Sequence, residues 1–124
     1  MRKLLVMTAV ASAVIFAGHA FADDMILQAD MEKAFKGMSF KDDDGAGNIG
    51  VITYGADMAI HIKVPTGGQS PSDDGKYRFA EGGYCSSWTK LRTGTEKCFT
   101  ASKVGNGYQL WTKDGKKDDM LTPQ

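Results

Sequence analysis

The chain has 124 residues, with 15 basic and 15 acidic side chains, two cysteines and two histidines. That length suits one domain with a modest core. The lysines are spread along the chain, so no concentrated positive field exists to attract a phosphate backbone, and nucleic acid is not an expected partner.

The first 22 residues have the layout of a cleavable secretory signal. Arg2 and Lys3 form a positive start, an apolar stretch covers residues 4–17, and the small-residue pattern Ala20-Phe21-Ala22 follows. The apolar stretch is shorter than the ~20 residues that cross a bilayer, so we expect cleavage after Ala22 and no membrane anchor. Cleavage removes two basic residues and no acid, which leaves 13 basic and 15 acidic residues and a formal charge of −2. The sequence thus predicts one periplasmic or secreted domain, residues 23–124.

An amphipathic helix is predicted at the start of this domain, within residues 25–37. Gly37 can take the left-handed conformation that ends a helix. We expect the apolar stripe of the helix to pack on the rest of the fold. The residues at helical spacing are Ile26 or Leu27, Met31, Ala34 and Phe35.

Beyond Gly37 the hydrophobic period changes to two residues, and glycine-rich turns interrupt it at short intervals. Short connections favour antiparallel neighbours. We therefore expect a mainly β (α+β) fold, an antiparallel meander that forms a curved sheet or a small barrel, with the N-terminal helix packed on it or across one end. The predicted strands are 38–41, 49–54, 58–64, 76–80, 84–88, 97–104 and 108–113.

Acidic side chains cluster at three predicted turns. The run Asp42-Asp43-Asp44-Gly45 does not fit an EF-hand, because the twelfth position from Asp42 is Thr53 rather than glutamate. We expect solvated turns here and at Asp73-Asp74 and Asp118-Asp119, with weak cation binding as the alternative. No cofactor or metal centre is predicted. The segment 65–75 has no large apolar residue and is expected to form an exposed loop.

Cys85 and Cys98 are the only cysteines of a chain addressed to an oxidising compartment, so we expect a disulfide. A metal thiolate pair and a catalytic thiol are the alternatives. A tetrahedral zinc site usually needs four ligands, whereas the mature domain has two cysteines and one histidine.

His61 is the only histidine of the mature domain. It lies in an alternating run that places it beside Ala59 and Lys63, on the face opposite Ile60 and Ile62. We expect a solvent-facing side chain, with a general base or metal ligand as the alternative. Because no serine, cysteine or acid forms a recognisable catalytic set with it, we expect a protein that is not an enzyme.

Aromatic residues are concentrated in the second half of the domain. Most are expected to form the core, and some would line a ligand cavity if the sheet closes into a barrel. Trp111 lies on the strand face opposite Tyr108 and Leu110. The candidate contacts for a ligand or partner are Tyr84, Trp88, Trp111 and His61.

Four short segments carry a family resemblance: Gly75-Lys76-Tyr77, Gly83-Tyr84-Cys85-Ser86-Ser87-Trp88, Lys97-Cys98-Phe99 and Gly107-Tyr108-Gln109-Leu110. With them the chain resembles a group of small secreted proteins of Gram-negative bacteria that have a short helix followed by a β region with a Tyr-Cys-x-x-Trp to Cys-Phe pattern. It departs from that pattern at Tyr77, where tryptophan is expected, and at Met38, where a threonine usually follows the glycine. The resemblance supports the fold and the disulfide and implies no settled activity.

These features lead to a functional hypothesis. We expect a monomeric, non-enzymatic periplasmic or secreted binding or accessory module, stabilised by one disulfide, whose partner is an unknown protein or small ligand of the cell envelope. The alternatives are an inhibitor of a lysozyme or protease and a weak cation-binding protein. The rival from another class is an enzyme that uses His61 with a nearby carboxylate.

Overall fold

The structure is a computed structural model that describes residues 25–65 and 71–124. The expected signal peptide and its cleavage site lie outside these ranges. Within them, one α-helix is followed by eight strands, and each strand is antiparallel to its neighbours. The elements are α1 (Gln28–Phe35), β1 (Met38–Asp43), β2 (Ile49–Tyr54), β3 (Ala59–Lys63), β4 (Asp73–Ala80), β5 (Gly83–Trp88), β6 (Lys97–Val104), β7 (Gly107–Thr112) and β8 (Lys117–Pro123).

The sheet closes into a barrel because the first and last strands pair. In β1 and β8, Phe40 lies opposite Pro123 and Asp42 lies opposite Leu121. The predicted fold class, a mainly β meander with one N-terminal helix, is confirmed, and of the two predicted forms the barrel is the one observed. No helix in the described part of the chain is long and apolar enough to cross a membrane.

Helix α1 closes one end of the barrel. Met31 and Phe35 are fully buried, and the Phe35 ring lies 5.0 Å from the rings of both Phe40 and Tyr54 between centroids. Ile26 packs against the core, whereas Leu27 is 71% exposed, so Ile26 is the residue that extends the apolar stripe. This end of the interior is therefore filled by apolar and aromatic groups.

Gly37 turns the chain from the helix into β1. Its φ is +80°, and its N–H donates to the Tyr54 carbonyl oxygen at 2.6 Å. A residue with a Cβ is strained in this left-handed conformation, which explains why glycine follows the helix, as the sequence predicted.

The disulfide between Cys85 and Cys98 is confirmed. The two residues lie directly opposite each other in β5 and β6. The bond therefore clamps two neighbouring strands and closes the connection between them.

Apart from shifts of one residue in β3, β5 and β7, three strands differ from the sequence predictions. The strand β8 was not predicted, because its first residues are charged and only Leu121 within it is fully buried. The strand β4 begins at Asp73, so residues 73–75 are not part of a loop. The strand β1 extends to Asp43, two residues beyond its predicted end.

Candidate functional site

A cavity of about 250 Å³ lies in the part of the barrel away from α1, next to the β5–β6 connection. One part of its wall is apolar and aromatic, formed by Tyr84, Trp88, Phe99, Leu91 and Leu110. The other part carries charged and hydroxyl groups, so polar and apolar surfaces meet in this cavity. The polar residues of the wall are Asp42, Ser86, Arg92, Lys97, Asp118 and Asp119.

Two carboxyl groups, those of Asp42 and Asp119, lie on the polar side of this cavity. Asp42 follows Phe40 on the inward face of β1 and is 6% exposed, and Asp119 reaches it from the neighbouring strand β8. Burial, then the hydrogen bond and negative charge of Asp119, raise the pKa of Asp42 to about 9. Burial also raises the pKa of Asp119. At neutral pH the Asp42 carboxyl therefore keeps its proton.

The prediction of turns is wrong for every one of these acids except Asp44, because Asp42-Asp43, Asp73-Asp74 and Asp118-Asp119 all lie in strands. Asp42 and Asp119 lie in strands, and inward-facing strand residues are withdrawn from water. Asp73 is buried at the start of β4. Asp44 does lie in an exposed turn, where its carboxylate accepts hydrogen bonds from the Asn48 side chain at 2.7 Å and the Ala46 N–H at 2.7 Å.

Asp73 holds the β5–β6 connection against the barrel. Its Oδ2 accepts hydrogen bonds from the N–H groups of Lys90 at 2.7 Å and Leu91 at 2.8 Å. The short 3₁₀ segment Leu91–Gly94 follows at once, and within it Arg92 and Thr93 have φ values of +52° and +49°. Positive φ is unfavourable for residues with a Cβ, and such strain is concentrated at functional sites.

This strained turn brings the Arg92 guanidinium to the cavity. Its Cζ lies 5.8 Å from the centre of the Phe99 ring, and its Nη2 donates to Ser86 Oγ at 3.0 Å. Its Nη1 is buried and has no hydrogen-bond partner among the residues that the structure describes. Burial lowers the pKa of Arg92. An arginine nevertheless stays charged at neutral pH, so the cavity wall includes one cationic side chain.

Tyr84 also lines the cavity, and its hydroxyl is paired with another buried tyrosine. The Tyr54 hydroxyl donates to the Tyr84 hydroxyl oxygen at 2.9 Å, and both rings are buried. The hydrogen of the Tyr84 hydroxyl is therefore not used in this pair. Burial raises the pKa of Tyr84, so the hydroxyl stays neutral and can act as a donor.

The structure brings two of the four predicted contact residues together. Tyr84 and Trp88 both line the cavity. Trp111 lies on the outward face of β7, where its Nε1 donates to Ser102 Oγ at 2.9 Å, and it is not part of the cavity wall. Its predicted position opposite Leu110 is confirmed, and this position separates it from Trp88.

His61 lies on the outer wall of the barrel, as its place in the alternating run predicted. Its Nδ1 is 2.6 Å from Asp74 Oδ1, and the two side chains are 53% and 77% exposed. A shallow groove of about 650 Å³ adjoins this pair and includes Thr53, Lys63 and Lys90. The Asp74 partner was not foreseen, because Asp74 was assigned to a loop. These two groups are solvated and have no hydrogen-bonded nucleophile in the described ranges, so the pair does not form a catalytic set.

The disulfide has a carboxylate neighbour, Glu96, but this set does not form a metal site. The sulfur atoms of Cys85 and Cys98 are bonded to each other and so do not supply thiolate ligands. Glu96 instead accepts two hydrogen bonds from Arg78, at 2.8 and 2.9 Å.

Comparison of the chain with protein-family models, with curated proteins and with solved structures finds no match. The class of protein is therefore defined by the fold and the cavity alone: a small closed β-barrel, capped by a helix at one end, with a polar cavity away from that helix.

Proposed function

We propose that the protein is a non-enzymatic periplasmic or secreted binding module that holds a small polar molecule in the cavity lined by Asp42, Arg92 and Trp88. The observation that carries this proposal is the cavity of about 250 Å³ itself, whose wall combines the charged residues Arg92 and Asp42 with the aromatic residue Trp88.

The carboxyl pair supports the same proposal. Two adjacent carboxyl groups in a buried position are destabilising, because one of them must take up a proton at a pH where it would be ionised in water. An apolar pair of similar volume would fill the barrel more favourably. Groups that lower stability in this way are commonly kept for binding or chemistry.

The division of the interior is a further argument. The end beneath α1 is closed by Met31, Phe35 and the aromatic rings around them, which is the usual filling of a barrel this narrow. The other end instead has a cavity with aromatic and charged walls. A few convergent polar groups in a partly apolar cavity are typical of a small-molecule site.

The two tryptophans allow a direct test in the mature protein isolated after export. Each indole N–H gives one signal in a ¹⁵N–¹H NMR spectrum, and Trp88→Phe and Trp111→Phe variants assign the two signals. We expect compounds from a library of small polar molecules, with calcium as a separate addition, to shift the Trp88 signal and leave the Trp111 signal in place. A library in which no compound shifts Trp88, or in which binders act only on Trp111 or His61, contradicts the proposal.

A further inference from the structure

We propose that the outer face of β1, β2 and β3 is a docking surface for an acidic, partly apolar peptide segment of a partner protein. This surface lies on the outside of the barrel, so the inference goes beyond the ligand cavity and does not depend on it. It follows from exposed apolar side chains that lie beside lysines without an ion-pair partner among the described residues.

Two adjoining depressions form this surface. The first, of about 650 Å³, is the groove beside His61. The second, of about 450 Å³, includes Ile49 and Pro65. Val51 and Lys63 belong to the walls of both, so the two depressions are continuous over this pair. Together they are called the outer groove below.

The floor of the outer groove has exposed apolar side chains. Ile49 is 43% exposed and Val51 is 37% exposed, and the two lie two positions apart on the outward face of β2. They are two of the five large apolar side chains that are exposed in the part of the chain that the structure describes. Single apolar side chains are ordinary on a protein surface, whereas neighbours that line one concavity provide apolar area for a partner to cover.

Two lysines flank the centre of this apolar floor. In the antiparallel sheet Val51 lies opposite Lys41 of β1 on one side and opposite Lys63 of β3 on the other. Lys90 lines the first depression as a third cationic side chain. None of the ion pairs among the described residues includes any of these three lysines. The outer groove therefore has positive charges that are available to a partner.

The acidic side chains of the outer groove, in contrast, already have partners. Asp74 Oδ1 lies 2.6 Å from His61 Nδ1. Asp73 is buried, and its Oδ2 accepts hydrogen bonds from the N–H groups of Lys90 and Leu91. The formal charge of the mature chain is −2, yet this face presents free lysines and compensated acids. Charge complementarity therefore favours an acidic partner.

The shape of the outer groove favours an extended peptide. A strand rises about 3.4 Å per residue, so the stretch from Ile49 to Thr53 is about 13 Å long and accommodates four or five extended residues. Both edges of β2 are paired within the closed barrel, so the peptide is recognised through its side chains and does not add a strand. A fitting peptide places an apolar side chain over Val51 and carboxylates beside Lys41 and Lys63. A flat lipid surface would leave the concavity unfilled.

Selection from a display library of random peptides of about ten residues tests the proposal on the mature protein. We expect the selected peptides to combine aspartate or glutamate with apolar residues. Fluorescence anisotropy of a labelled selected peptide then measures its affinity. At about 1 M salt, where the Debye length is ~3 Å, binding should be about tenfold or more weaker than at low salt. In ¹⁵N–¹H NMR spectra of the wild type, the peptide should shift the amide signals of Lys41, Val51 and Lys63.

Four variants locate the contacts. Lys41→Glu and Lys63→Glu should each weaken peptide binding by about tenfold or more. Lys103→Glu is the matched control, because it makes the same charge change on β6, which lies four strands from β2 in both directions around the barrel; its affinity should stay within about twofold. Val51→Thr keeps the side-chain shape and should weaken binding by about threefold, because a hydroxyl replaces a covered methyl group. The NMR and salt measurements use the wild type and so do not depend on whether a variant folds.

Several outcomes would overturn the proposal. They are a library that yields no binder, selected peptides that are neutral or basic, and an affinity that falls as much in Lys103→Glu as in Lys63→Glu. Vesicles of phosphatidylglycerol and phosphatidylethanolamine are a separate probe, and if they bind through Lys63 while no peptide does, the face is a lipid surface and the acidic-peptide proposal is wrong. A peptide that shifts the Trp88 indole signal and no amide of β1 to β3 occupies the cavity, which contradicts this inference and leaves the proposed function standing.

Discussion

The Asp42 carboxyl should make the stability of the protein fall as the pH rises from acid to alkaline. An aspartate carboxyl in water has an ordinary pKa of 3.8, whereas burial beside Asp119 raises the pKa of Asp42 in the folded protein to about 9. Between these values the folded state holds one proton that the unfolded state has lost. The contribution of Asp42 to the free energy of unfolding is therefore fully present below pH 3.8. It is lost as the pH rises towards about 9, at ~1.4 kcal/mol per pH unit.

Asparagine at position 42 removes this dependence. The Asp42→Asn side chain has nearly the same shape, can still donate a hydrogen bond to Asp119, and does not ionise. Between pH 5.5 and 8.5 the wild type should lose about 4 kcal/mol of unfolding free energy relative to the variant, by the slope of one proton. This is a large share of the ~5–15 kcal/mol that stabilise a typical domain.

Urea unfolding at pH 5.5, 7.0 and 8.5, followed by tryptophan fluorescence, measures the difference. Asp44→Asn is the matched control, because Asp44 is exposed in the adjacent turn and its pKa is lowered, foremost by the Asn48 side chain. Its effect should therefore be constant across this range. If the free energy of unfolding changes with pH by the same amount in the wild type and in Asp42→Asn, the shared-proton interpretation of the cavity is refuted.

Three further substitutions test the fold. Replacing Cys85 and Cys98 together by serine should cost about 3 kcal/mol, because the bond closes a loop with a sequence separation of 13; an unchanged urea midpoint would contradict this. Phe35→Ala should lower the free energy of unfolding by about 3–5 kcal/mol, because it empties the space beneath α1, and Phe35→Leu should lower it much less. Equal urea midpoints for the two variants would argue against a packed end of the barrel. Gly83→Ala should separate β5 from β6, since its Cβ would overlap the Phe99 carbonyl oxygen, and wild-type stability in thermal unfolding would disprove that close approach.

The sequence contained enough information for most of the fold. The change of hydrophobic period after Gly37 correctly separates the helix from the strands, and the spacing of the glycine-rich turns indicates antiparallel pairing. The strand β8 was not predicted because apolar and polar residues alternate only weakly in it. Its Asp119 faces the interior beside another acid, and no hydrophobic pattern marks such a position.

The cavity was only partly predictable for the same reason. Tyr84 and Trp88 share a strand face, so their common position in the interior could be inferred, and the Phe40-x-Asp42 spacing contained an unused signal that Asp42 faces inward. Arg92 could not be placed from the sequence. Its direction depends on a strained turn anchored by Asp73, a residue that lies far earlier in the chain, at the start of β4.

The account depends most on the proton shared by Asp42 and Asp119, and ¹³C NMR of the aspartate carboxyl carbons measures it directly. With Asp42→Asn to assign the signal, we predict that the Asp42 carboxyl titrates with an apparent pKa of about 9. A spectrum in which every aspartate carboxyl has finished titrating below about pH 5, the ordinary range for this group, would contradict the account.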